Sequence, residues 1–135
     1  MNFYLKTIAL FPYVCIIGHM EITNATASFS ALSQDTRLKA FRLLVNHEPN
    51  GLPAGDIARA LDVPHNTMSA HLAVLARAGW VTSQRQSRQI IYRASLSHVQ
   101  TVAQYLLTDC CSAHPELSRS FVACSSTPAD DKSDN

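Results

Sequence analysis

Hydrophobic residues recur at helical spacing through most of the chain between residues 21 and 112. Apolar positions three or four residues apart predict helices near residues 21–32, 35–45, 54–61, 64–78 and 96–112. The apolar faces of the first four helices consist of Ala25, Phe29, Leu32, Leu38, Phe41, Leu44, Val45, Met68, Leu72, Leu75 and Ala76. The last helix has a stripe that a monomer would leave partly exposed: Val99, Val102, Ala103, Leu106 and Cys110.

Turn residues separate these helices, and one segment has a different period. Loops are predicted at residues 46–51 and 62–64, and Gly79 can take the left-handed conformation that ends a helix. Residues 81–93 are β-branched or polar, with a polar centre, which predicts a two-stranded hairpin with arginines near its tip. Pro115 is expected to end the last helix, and residues 125–135 have the composition of a disordered tail.

A short helix, a tight turn, a second helix and a hairpin form a winged helix-turn-helix. We therefore predict a mainly α fold with a small β-hairpin wing. In such a fold the second helix enters the major groove of DNA, and the wing contacts phosphates or a minor groove. The predicted DNA-contacting residues are Asn66, Thr67, Ser69 and His71 on the helix, and Arg85 and Arg88 on the hairpin. His71 has an alternative role at the edge of the core, and Arg77 and Arg93 are predicted to be solvated surface charges.

Charge is distributed unevenly along the chain. The 135 residues are 47% hydrophobic and 16% charged, as in an ordinary globular protein, and their net charge is only +1. Residues 33–94 hold eight basic and four acidic residues, whereas residues 95–135 hold two basic and five acidic ones. A basic middle beside an acidic flank favours a DNA-binding segment next to a regulatory one.

Four segments resemble the ArsR/SmtB family of transcriptional repressors: residues 31–41, 56–63, 67–81 and 85–93. The resemblance implies a homodimer that pairs through its first and last helices and binds double-stranded operator DNA with an imperfect palindrome. Two residues depart from the family pattern. Pro64 replaces a Ser or Thr helix cap, and Ser87 replaces the glycine of the wing.

Members of this family sense metals, metalloids or thiol oxidation at sites that differ between branches. The Cys-x-Cys site of one branch is absent, because residues 52–58 contain no cysteine. The zinc site of another branch would match His98 and Asp109, but Leu96 and Ser112 occupy its other two positions. We therefore expect no zinc, and we predict that His98 is a surface or capping residue.

Cys110 and Cys111 are adjacent, and Cys124 follows thirteen residues later. They resemble the cysteines of arsenic-responsive family members, which implies trivalent arsenic or antimony as inducer. These soft ions prefer three thiolates. Neighbouring residues of an ideal helix point about 100° apart, so binding is expected to distort the last turn. One alternative is a redox or persulfide sensor that pairs Cys124 with one of the two; another is that the cysteines are inert.

The remaining sequence features indicate the domain boundaries and exclude some classes of protein. Residues 1–19 are predicted to be a disordered or non-native extension, with Met20 as the true start; a signal peptide or a tag remnant is less consistent with their sequence. Residues 20–114 form the DNA-binding and dimerisation domain, and residues 115–135 a flexible tail. We expect a cytoplasmic protein that has no membrane partner and is not an enzyme, because it lacks a phosphate-binding glycine loop and an acid–base pair. A pure interaction module is the remaining alternative.

Overall fold

A computed structural model describes residues 20–125, and for residues 122–125 only the backbone. The predictions for residues 1–19, and for the tail after residue 125, lie outside the described residues. The chain divides after Val102 into two compact units. Within residues 20–125, no helix is both long enough and apolar enough to cross a membrane.

The fold is mainly helical with one small antiparallel sheet, which confirms the predicted winged helix-turn-helix class. The sheet has three strands, and the last strand in the sequence lies between the other two. The elements up to the end of the wing are α1 (Ile22–Leu32), α2 (Asp35–Asn46), β1 (Leu52–Pro53), α3 (Ala54–Ala60), α4 (His65–Arg77), β2 (Val81–Gln86) and β3 (Gln89–Ala94), and they are followed by α5 (Leu96–Tyr105).

The second helix of the helix-turn-helix, α4, is fixed by its apolar face. Met68, Leu72 and Leu75 are all 0% exposed, and Leu44 of α2 and Ile57 of α3 are equally buried. The sequence predicted these three positions correctly, whereas Ala76 is exposed. Burial of a large aliphatic side chain contributes about 1.5–3 kcal/mol, so this cluster determines which face of α4 remains in solvent.

The buried faces of α1 and α2 differ from the predicted ones. α1 buries Ala25, Ser28 and Ala31, while Phe29 is 41% exposed. In α2, Leu38 and Val45 are 42% and 37% exposed, and Ala40 is buried in their place beside Phe41 and Leu44. The buried positions of α1 are all small, and small residues allow neighbouring helix backbones to approach closely, whereas α2 buries one small residue beside two large ones.

The wing is a regular hairpin from Val81↔Ala94 to Gln86↔Gln89. Its two-residue turn begins at Ser87, which has a φ of 55° in place of the glycine typical of that conformation. The sequence did not predict β1, which pairs Leu52 with Tyr92 and Pro53 with Ile91. A two-residue strand is too short to show a period.

Three polar and aromatic side chains form what we call the Ser28 cluster: Ser28, Trp80 and His98. The Trp80 Nε1–H donates to the Ser28 carbonyl at 2.8 Å, and Ser28 Oγ lies 3.0 Å from His98 Nε2. The His98 ring meets the Trp80 ring edge to face, with centroids 4.8 Å apart. His98 is therefore a packed residue that joins α5 to α1, and the prediction of a surface or capping role was wrong.

The unit after Val102 differs from its prediction. The α-helix does not extend to residue 112: it ends at Tyr105 and gives way to a π-helical turn over Leu106–Cys110. Thr108 Oγ1 donates to the Gln104 carbonyl at 2.7 Å, so that carbonyl has a side-chain donor in addition to the backbone. The Cys111 N–H donates to the Leu106 carbonyl five residues back, which is the spacing of a π-helix. A further helix, α6 (Pro115–Ser125), occupies the start of the predicted flexible tail; Pro115 begins a helix rather than only ending one.

Gly79→Ala is expected to destabilise the protein by about 2–4 kcal/mol. Gly79 has a φ of 90°, and an added Cβ would lie 2.9 Å from the His98 ring, so backbone strain and a steric clash act together. Chemical denaturation measures the effect. Gly55→Ala in α3 is the control, because the nearest atom to its new Cβ would be 3.7 Å away and alanine favours a helix. Equal stability of both variants would contradict this packing.

His98 is expected to make stability depend on pH. Burial lowers the pKa of His98 below its ordinary value of 6.5, so the unfolded chain binds this proton more readily than the folded protein. The contribution of His98 to the free energy of unfolding is fully present above pH 6.5. It decreases as the pH falls towards the pKa of His98 in the folded protein, and below that pKa it changes no further. Thermal unfolding of wild type and His98→Gln between pH 8 and 5 (about the range in which histidine titrates) should give curves that diverge below pH 6.5. Parallel curves would contradict a His98 pKa that partial burial lowers.

Candidate nucleic-acid interface

The first turn of α4 presents polar side chains to solvent. Pro64 occupies its N-cap, and no side chain caps the helix. Asn66 and Thr67 are exposed, and Ser69 and His71 are half-buried. Asn66 and Thr67 are therefore accessible to a partner, and their contact with bases stays a prediction. The half-burial of His71 is compatible with a position at the edge of the core.

The wing carries its two predicted arginines in solvent. Arg85 and Arg88 are both exposed. Arg85 Nε lies 3.4 Å from the Ser87 carbonyl, a long hydrogen bond that holds the guanidinium only weakly. Both guanidinium groups are therefore accessible to an anionic partner.

The base of the wing is braced by side chains from outside the hairpin. Arg93 donates to the Pro49 carbonyl and to Gln84 Oε1, each at 2.9 Å. Glu48 Oε1 accepts from the Ala94 N–H at 2.8 Å. Arg93 is thus a structural residue, and the prediction of a solvated surface charge was wrong. These bonds tie the loop after α2 to the wing.

Ser69 and Arg88 line one cleft, together with residues that sequence reasoning missed. The cleft has a volume of about 440 Å³, and His65 and Arg59 are among its lining residues. His65 precedes Ser69 by four residues, which places both on one face of α4, so helical spacing could have identified it. Nothing in the sequence pattern brings Arg59 of α3 near the wing. Asn66, Thr67, His71 and Arg85 do not line this cleft.

The predicted thiol site lies in the unit after Val102. Cys110 is exposed, Cys111 is half-buried, and both are free thiols. The pKa of Tyr105 is raised mainly by partial desolvation, and to a smaller extent by the charges of the neighbouring Cys110 and Asp109.

The third predicted ligand is Cys124, which belongs to α6, but its side chain lies outside the described residues. Among the side chains that the structure describes, no three Cys, His, Asp or Glu residues are grouped to hold a metal ion. The ligand set of Cys110, Cys111 and Cys124 therefore stays a prediction.

Sequence comparisons identify one family model and one curated protein that this chain resembles. A family model described as a helix-turn-helix domain matches residues 32–84. The transcriptional activator HlyU of Vibrio cholerae is 26% identical over 100 residues, which are 73% of this chain and 90% of HlyU.

Two solved structures extend the comparison to the fold. An ArsR-like transcriptional regulator from Rhodococcus sp. RHA1 superposes with a TM-score of 0.59 at 23% identity, covering 79% of this chain and 96% of that one. The homodimeric winged helix-turn-helix DNA-binding domain of a possible ArsR-family regulator from Mycobacterium bovis gives a TM-score of 0.51 at 25% identity, covering 65% and 85%. The chain therefore has the winged helix-turn-helix fold of ArsR-like transcriptional regulators.

Arg93→Ala is expected to loosen the wing without unfolding the domain. Loss of two exposed hydrogen bonds should ease local opening by about 1 kcal/mol, which is roughly fivefold faster amide exchange in β2 and β3. Hydrogen exchange detected by mass spectrometry measures this rate. Arg85→Ala is the control, since Arg85 lies on the same hairpin but has only the weak bond to Ser87. Identical exchange in the two variants would contradict the bracing role.

Proposed function

We propose that this protein is a homodimeric transcriptional repressor of the ArsR type. It binds double-stranded operator DNA and is released when trivalent arsenic or antimony binds Cys110 and Cys111, with Cys124 as the third thiolate. The observation that carries the DNA-binding part is the exposed polar first turn of α4 beside an arginine-bearing wing.

DNA binding follows from the chemistry of these surfaces. Asn66 offers an amide that can pair with an adenine edge, and Thr67 and Ser69 offer hydroxyl groups for bases or phosphates. Arg85 and Arg88 supply positive charge on the wing, where a minor groove or phosphates would lie. The similarity to HlyU and to an ArsR-like regulator supports a role in transcription.

Exposed apolar side chains support the homodimer. Ile22 and Phe29 of α1 are 69% and 41% exposed, and Leu96 and Val99 of α5 are 48% and 37% exposed. Large apolar side chains grouped on two helices favour burial against a second copy. The similar domain from Mycobacterium bovis is homodimeric, which adds support.

The thiol pair supports the metalloid part. Two free cysteines lie where the α-helix has already given way to a π-helical turn, and Cys111 has the non-helical φ and ψ of −111° and 27°. The two side chains are therefore released from the fixed angular step of an ideal helix. Trivalent arsenic and antimony are soft ions that favour such thiolates.

Metalloid binding would change the DNA-binding state through α5. This helix carries exposed residues of the proposed dimer surface and leads directly into the turn with the cysteines. A ligand that binds one arrangement of that turn more tightly shifts the population of dimers towards it. DNA affinity falls if, in that arrangement, the distance between the two α4 helices no longer matches the distance between the two operator half-sites.

A thiol redox or persulfide sensor of the same fold is the second candidate. The exposed free thiol of Cys110 favours it. In this case two cysteines, Cys124 and one of the adjacent pair, would give two electrons and two protons to an oxidant and form a disulfide. Adjacent cysteines pair poorly, so a bond within the pair is disfavoured.

Fluorescence anisotropy with DNA from upstream of the protein's own gene tests the proposal. The full chain should bind this duplex more tightly than a scrambled duplex of equal composition, and arsenite should release it. Cys110→Ser and Cys111→Ser should still bind DNA but lose the response to arsenite. Arg85→Ala/Arg88→Ala should bind weakly with or without arsenite.

The outcomes separate the parts of the proposal. Equal binding to both duplexes would contradict an operator-binding regulator. Release by an oxidant but not by arsenite, with a Cys124 disulfide in the mass spectrum, would favour the redox sensor. Transcription in vitro from the bound duplex distinguishes repression from activation, the activity named for HlyU.

A further inference from the structure

The cleft beside α4 joins three elements that are separate in sequence. Gly55 comes from α3, His65 and Ser69 from the first half of α4, and Arg88 from the tip of the wing. With a volume of about 440 Å³, it is the place where the helix-turn-helix and the wing approach each other.

Positive charge exceeds negative charge along its lining. Arg59 and Arg88 are the cationic residues, and Asp56 is the only acid among the lining residues. Arg59 Nη2 pairs with Asp56 Oδ1, yet the Arg59 side chain is 79% exposed. Exposed pairs of this kind contribute little to stability, so Arg59 can change its partner at small cost.

The start of α4 adds a second attraction for an anion. His65 is the first residue of this thirteen-residue helix, and no side chain caps the helix at Pro64. The free N–H groups of a first turn carry a partial positive charge and bind anions readily. The Ser69 hydroxyl, one helical turn further on, is an additional donor in the same cleft.

Part of the cleft lining is apolar and could pack against a sugar. Pro53 of β1 and Ile90 and Tyr92 of β3 provide apolar and aromatic surface there. A backbone unit of DNA has this mixed character, since a charged phosphate alternates with an apolar deoxyribose.

The neighbouring base-contacting residues point to the same ligand. Asn66 and Thr67 directly follow His65 and are exposed. A duplex whose bases reach these two residues must carry its backbone past the adjacent face of α4, and that face lines the cleft. A free anion would satisfy the charge but would not explain this adjacency.

We propose that the cleft seats a phosphodiester of the DNA backbone between the wing and the helix-turn-helix, with Arg59, His65 and Ser69 as contacts additional to Arg88. This inference rests on the proposed DNA-binding function. Asp56 competes with the phosphate for Arg59, so the bound state replaces the Asp56–Arg59 pair by an Arg59–phosphate pair.

Salt dependence of DNA binding tests the site. Anisotropy titrations use the full chain and a labelled duplex of about 30 base pairs, which holds two half-sites a helical turn apart. Arg59→Gln should make the decrease of log affinity with log salt less steep, by about 0.9 per protomer. It should also weaken binding at about 0.15 M salt by roughly fivefold per protomer. Asp56→Asn should instead tighten binding about two- to fivefold, because it releases Arg59.

Arg42→Gln is the matched control. Arg42 is an exposed arginine of α2, outside α3, α4 and the wing, and it does not line the cleft. Its salt slope should equal that of wild type. If wild type binds DNA and Arg59→Gln behaves like Arg42→Gln, the cleft is not a phosphate site, although the proposed function stands. If wild type fails to bind the duplex, both the proposed function and this inference are overturned.

Discussion

The complete burial of Met68, Leu72 and Leu75 fixes the rotation of α4 about its own axis, and the candidate DNA interface depends on that rotation. Because successive helix residues step by about 100°, the face opposite these three is set as well. It consists of the exposed residues Asn66, Ala70, Ala73 and Arg77. Small side chains along the middle of this face allow close approach to a groove, and polar ones remain at its ends.

Two sets of hydrogen bonds position the elements around α4. The Ser28 cluster holds Trp80, just after α4, against α1 and α5, and the bonds of Arg93 and Glu48 hold the wing to the loop after α2. α5 therefore has a packed start at His98 and leads at its other end into the turn that carries Cys110.

Sequence patterns predicted the fold well where one property dominated. The apolar period of α4 and the β-branched residues of the wing each correspond to an observed element, and Gly79 has the left-handed conformation expected of it. The patterns failed where tertiary contacts decided the outcome. Ser28 can be buried because its hydroxyl donates to the Asn24 carbonyl and lies 3.0 Å from His98 Nε2, and no hydrophobic period can show that.

The candidate site was predictable only in part for the same reason. Asn66 and Arg88 follow from their places on a helix and a hairpin tip, whereas Arg59 reaches the cleft only through the packing of α3 beside the wing. The π-helical turn over Leu106–Cys110 is not visible as a change in hydrophobic period. Helical periodicity, which extends a helix through every matching apolar residue, predicted no break there.

A footprint of the full chain on DNA from upstream of its own gene tests the central claim most directly. Hydroxyl-radical cleavage should show two protected half-sites related by a pseudo-twofold axis and centred about one helical turn, or a multiple of it, apart. Bands of protection should also flank each half-site on the adjacent minor-groove side, because the proposed function places the wing against the backbone there. Uniform cleavage along the duplex, or a single unpaired protected site, would contradict a dimeric DNA-binding regulator.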